Sequence, residues 1–114
     1  MDFNDAAAQA RGVRALYARL ESEHHGQEWS SAEMVVGLNQ DVGDLGRLVM
    51  AASGRWGHGT GERAELGYEL AECLWWIFAL ADRFDVDIGR AFTEFIDERE
   101  QRLRPAVQRI TATD

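Results

Sequence analysis

One proline, Pro105, interrupts a chain of 114 residues, and a run of closely spaced glycines falls at Gly54, Gly57, Gly59 and Gly61. So few breakers, with one concentrated loop signal, favour long helices joined by few loops. Apolar residues at i, i+3, i+4 and i+7 mark where those helices lie. Val13, Leu16, Tyr17 and Leu20 predict a first helix from about Asn4 to Glu23, closed by His24, His25 and Gly26. Ser30 and Glu33 have the spacing of a capping box, so a second helix should start at Ser30 or Ser31. It should run to about Ser53, with Gly54 as the left-handed residue that stops it. A third helix is expected from about Gly61 to Arg83. Its second half, Cys73 to Ala81, is apolar on nearly every side, which predicts a central or interface position. Asp87 reads as the N-cap of a fourth helix with Ile88, Ala91, Phe92, Phe95, Ile96 and Leu103 as its apolar stripe. Pro105 should end or kink that helix near Arg104, leaving a loosely held tail from about 105.

The class is therefore all-α: one domain over residues 1–114, a four-helix bundle with no convincing strand. The all-round apolar third helix calls for a second subunit, as a homodimer or a dimer-of-dimers tetramer. A net charge of −8 argues against a nucleic-acid duplex, whose phosphates would repel the chain. It does not argue against a small phosphorylated ligand, because a divalent cation inverts the field locally. The single cysteine, Cys73, allows no intrachain disulfide, and Met1 to Asp5 lacks a signal-peptide pattern. The longest apolar run is too short to span a bilayer, so no membrane partner is expected and the expected location is cytoplasmic.

Four carboxylates do not fit the helix pattern. At ~100° per residue, Met34, Leu38, Val42, Leu45, Leu48 and Val49 form one arc of the second helix, and Asp41 falls inside it with Asp44 on its edge. On the third helix, Leu66, Leu70, Cys73, Ile77 and Leu80 define the stripe; Glu69 sits on its edge and Glu72 further round. Each helix thus carries an acid pair at i, i+3, which places both side chains on one face. Counted from the intervening loop, both pairs lie roughly 12–14 Å along their helices. In an antiparallel hairpin Asp44 should face Glu69, and Asp41 should face Glu72. Four acids at one level repel and raise their own pKa values unless a cation lies between them. Mg²⁺, which prefers hard oxygen ligands and keeps positions open for water and phosphates, fits that need. The alternative is a pair of ordinary solvated acidic faces.

The segments Gln40-Asp41-Val42-Gly43-Asp44-Leu45 and Glu69-Leu70-Ala71-Glu72-Cys73-Leu74-Trp75 resemble the two acidic motifs of the MazG-like all-α nucleotide pyrophosphohydrolases. That family usually has E-x-x-E on one helix and E-x-x-D on the next. The stretch from Leu80 to Ile88 also resembles its turn into the last helix, and the similarity covers about Trp29 to Phe95. The resemblance implies Mg²⁺-dependent (or Mn²⁺-dependent) cleavage of a nucleoside triphosphate to a monophosphate and pyrophosphate. Asp41, Asp44, Glu69 and Glu72 would hold the metal, with Glu69 and Asp44 as the candidates to orient or deprotonate the attacking water. The sequence departs from the pattern: the first pair is Asp for Glu, and the second closes on Glu for Asp. Many members also carry Lys and Asn on the last helix to engage phosphates, and here only Arg99 is comparable. Two further readings follow: a non-catalytic MazG-like oligomer that binds a nucleotide or protein partner, and hydrolysis of phosphoribosyl-ATP.

Trp29, Trp56, Trp75 and Trp76 are many for this length. Trp76, one turn beyond Glu72, and Trp29, at a helix entrance, are candidates to stack a base. Packing of Trp75 and Trp76 at a subunit interface is the competing reading. Arg55-Trp56-Gly57-His58 could close over a nucleotide or be a plain surface loop. Glu21-x-x-His24 is half of a di-iron signature, but no second half exists. Cys73 reads as an inert core thiol.

Overall fold

The computed structural model describes residues 1–54 and 62–113, with side chains over 1–54 and 65–112. The expectations placed on Arg55, Trp56, Gly57 and His58 lie outside the described residues. Four helices follow one another: α1 Phe3–His25, α2 Ser31–Ala52, α3 Glu62–Arg83 and α4 Ile88–Thr113. No strand occurs among the described residues, and none of the helices is long and apolar enough to cross a membrane.

Local chemistry fixes the ends. The Glu33 N–H donates to Ser30 Oγ at 3.1 Å and the Ser30 N–H to Glu33 Oε1 at 2.9 Å, closing the expected capping box. Gly54 takes φ +77° just past α2 and donates its N–H to the Ala51 carbonyl, a conformation that favours glycine. Asp87 caps α4, its Oδ1 accepting the Arg90 N–H at 3.0 Å. Between α3 and α4 the chain turns through Asp85 at φ 55°, and the Val86 N–H returns to the Ala81 carbonyl at 2.8 Å.

Helix α3 is central. It packs along α2 as a hairpin and against α1 on another side, while α4 rests on α1. The core consists of Met34 and Leu48 from α2 with Cys73, Phe78, Ala79 and Ala81 from α3. Phe3 ties the ends together, stacking on Phe92 at 6.0 Å and tilting against Phe78 at 5.3 Å. Such aromatic pairs add to the area they bury.

Two expectations need correction. Helix α4 does not stop at Pro105 but continues unbroken to Thr113. Proline removes one backbone donor and crowds the preceding turn. The residues around it are mostly exposed, so the carbonyl that loses its partner is open to solvent. The α1 stripe is also misplaced. Leu16, Tyr17 and Leu20 are about half exposed or more, and the residues that α1 buries are Arg14 and Glu21. Seven residues apart, these two lie on one face, and their mutual pairing makes burial of both charges tolerable.

Candidate metal centre

The acids of α2 and α3 meet. One oxygen from each of Asp41, Glu69 and Glu72 lies within 4.8 Å of the others, and all three side chains are half-buried. Asp41 therefore approaches both third-helix acids, where register alone paired it with Glu72. Asp44 is not part of that trio, although its charge helps to raise both Glu69 and Glu72. None of the ion pairs among the described residues involves the three. Glu69 Oε1 is shut off from solvent and has no hydrogen-bond partner.

Their proton affinities record this crowding. A proton shared with Asp41 comes first, then burial, then the charges of Asp41, Glu72 and Asp44, and together these push Glu69 up to about 7. Burial leads for Glu72, followed by Asp41, and its carboxyl is also raised. Burial acts the same way on Asp41. There, hydrogen bonds from Glu69, Trp76 and Glu72 outweigh it and hold the carboxyl below the ordinary carboxylate range. The cluster is thus one acceptor of shared protons, and a divalent cation would compete for the same oxygens. The donor set is all hard oxygen, as Mg²⁺ or Mn²⁺ requires, and an orphaned buried oxygen is what an ion would satisfy.

Trp76 joins the acids to their surroundings. Its indole Nε1–H donates to Asp41 Oδ2 at 2.5 Å, and its ring lies nearly parallel to Trp29 with centroids 5.5 Å apart. The approach is close because α2 offers Gly37 at that level: a Cβ there would stand 2.5 Å from Trp76 Cζ2. Trp75 meets Trp76 edge-on at 5.1 Å and Tyr17 at 5.4 Å. Trp29, at the entrance to α2, is held by its backbone. Its N–H donates to Glu21 Oε1 at 2.7 Å, and its carbonyl accepts from Arg83 Nη2 at 2.9 Å. These aromatics, with Asp41 and Glu72, line a cavity of about 410 Å³, within the range of small-molecule sites.

Of the substrate-binding candidates, Trp76 and Trp29 therefore stand in the cavity wall. Arg99 is not brought to it: on α4 its guanidinium covers the Phe95 ring at 4.7 Å and pairs with Glu98 at 3.6 Å. Helix α4 reaches the rest of the fold through its first turns, which leaves Arg99 far along a projecting arm. Sequence reasoning missed Arg14 in the cavity wall and named Glu21 only as half of a di-iron signature; the two are buried and joined at 2.5 Å. Their i, i+7 spacing and opposite charge were the available signal. Cys73 is buried as expected. Burial first, then the charges of Asp41, Glu69 and Glu72, raises its thiol pKa. No family model, curated protein or solved structure matches the chain.

Proposed function

We propose that the acid cluster holds Mg²⁺ and that the chain is a nucleotide pyrophosphohydrolase of the MazG-like kind, cleaving a nucleoside triphosphate to monophosphate and pyrophosphate. The supporting observation is the meeting of Asp41, Glu69 and Glu72, with an unpartnered buried oxygen, at the edge of an aromatic cavity. Asp41, Glu69 and Glu72 would hold the ion, and Asp44 supplies a further negative charge close by. A bound Mg²⁺ or Mn²⁺ would supply electrostatic stabilisation of the phosphates and activation of a water. Trp76 keeps Asp41 in place through its indole N–H, and Trp29 and Trp76 offer flat surface to a base. Glu69 and Asp44 are the candidates to orient or deprotonate the attacking water.

Pyrophosphate release from a panel of nucleoside triphosphates, measured with and without Mg²⁺, tests the proposal. Release should require the metal and fall by roughly 10²-fold or more in Glu69→Gln. Metal-independent release, or a Glu69→Gln variant as active as the parent, refutes it. A second reading is favoured by the position of Arg99, which leaves no cationic side chain from the last helix at the acids. In that reading the chain is a non-catalytic helical oligomer that binds metal and nucleotide without turnover. Its signature is Mg²⁺-dependent nucleotide binding with no pyrophosphate released across the panel.

A further inference from the structure

The cavity contains a charged pair that phosphate chemistry at the acids does not use. Arg14 and Glu21 are only 7% and 8% exposed, yet both line it. Glu21 Oε1 takes both local donors, Arg14 Nη2 at 2.5 Å and the Trp29 N–H at 2.7 Å. Glu21 Oε2 accepts no hydrogen bond, and Arg14 Nη1 and Nε donate none, among the described residues. Each side chain keeps only 8% and 10% of its surface exposed, so these atoms reach the cavity through a narrow opening. A buried pair of this kind is costly unless its remaining lone pairs and protons are satisfied, so the open acceptor beside open donors can take a complement in place of water. In the same wall the Trp75 indole N–H is out of solvent and also lacks a partner. Tyr17, Trp29, Tyr68 and Trp76 add aromatic surface to the wall, which Asp41 and Glu72 complete on the side of the acids.

A flat ligand whose edge sets an N–H next to an unprotonated ring nitrogen matches that wall. Its N–H would donate to Glu21 Oε2, and its ring nitrogen would accept from Arg14. Adenine and cytosine carry such an edge; sugars and phosphates do not. We propose that this cavity is a base-reading site in which Glu21 and Arg14 select a nucleobase bearing an exocyclic amino group beside a ring nitrogen acceptor. The proposal rests on the reading of the neighbouring acids as a nucleotide phosphate site, and it names the part of the nucleotide that the cavity takes.

The test uses the metal-free full chain and nucleosides without phosphate, so that it is separate from hydrolysis. Tryptophan fluorescence is followed while adenosine or purine riboside, the same ring without the amino group, is added. Adenosine should bind about tenfold to a hundredfold tighter, the worth of one hydrogen bond to a charged group. In Glu21→Gln the amide oxygen keeps Arg14 and the Trp29 N–H, and an NH₂ stands where Oε2 was. The preference for adenosine over purine riboside should then vanish, because the amide NH₂ cannot accept from the exocyclic amino group. Equal binding of adenosine and purine riboside by the parent chain, or no response to either at millimolar concentration, overturns the proposal. Should Glu21→Gln fail to fold, the comparison within the parent chain still decides. Selective nucleoside binding without pyrophosphate release supports the base-reading site while defeating the hydrolase reading. Release with no nucleoside selectivity does the reverse.

Discussion

Glu69 is under opposing demands. Its carboxyl is drawn toward a proton by Asp41, by burial and by the surrounding negative charge, up to about 7. In the unfolded chain the same group ionises in the ordinary carboxylate range. A group raised in this way costs the fold nothing while both states are protonated. The cost accumulates as pH climbs from the unfolded value through the folded one. The metal-free protein should therefore lose thermal stability between about pH 5 and pH 8, and Glu69→Gln should flatten that decline. Saturating Mg²⁺ should restore the parent protein at the upper end and do little for the variant. Calorimetry across that pH series checks all three, and a parent curve as flat as the variant's would remove Glu69 from a crowded acid site. The acids themselves were legible in the sequence because charged residues in an apolar arc have few explanations. The bond from Trp76 to Asp41 was not, since the partners are 35 residues apart and only tertiary registry brings them together.

At the level of elements, α2 and α3 lie close because one position has no side chain. A methyl group at Gly37 would fall within the van der Waals envelope of the Trp76 ring. Gly37→Ala should cost roughly 1–3 kcal/mol, as overpacking of a tight contact does. It should also shift tryptophan emission, because the ring cannot yield without straining its bond to Asp41. A melting temperature and spectrum unchanged from the parent would show the contact to be loose. Helix starts were readable because capping is local: Ser30, Glu33 and Asp87 act on backbone within three residues. Helix faces were less so. Leu16, Tyr17 and Leu20 form a correct helical stripe, but periodicity states only that residues share a face, not which face meets the core. Pro105 misled for a related reason. Its penalty is local, and the helix that carries it gives up one bond on a largely exposed stretch rather than its continuity.

The whole molecule is extended for its length. Its radius of gyration is 18.6 Å, against about 13 Å for a compact chain of this size, and its longest dimension is 64 Å. Phe95, Ile96, Leu103, Val107 and Ile110 run along α4 with about half or more of their surface exposed, and Leu70, Leu74 and Ile77 are 40–52% exposed on α3. Contiguous apolar faces of this extent are rare on monomers. Light scattering on a sizing column should accordingly give a mass at least twice that of the chain, with a melting temperature that rises with protein concentration. A monomeric mass at micromolar concentration would refute this. In the sequence, the expectation of a second subunit rested on α3 alone. The larger share of uncovered surface lies on α4, whose stripe gave no indication that α1 would cover only its first turns.

The hydrogen bond from the Trp76 indole to Asp41 has a consequence beyond positioning. A single rigid ring borders the cavity with one face and restrains an acid with its edge, so neither region rearranges alone. If the acids take a cation and the cavity a ring, as proposed, the two occupancies would be thermodynamically linked. Any factor by which a cation sharpens affinity for a ring must be returned, equal in size, by the ring to the cation.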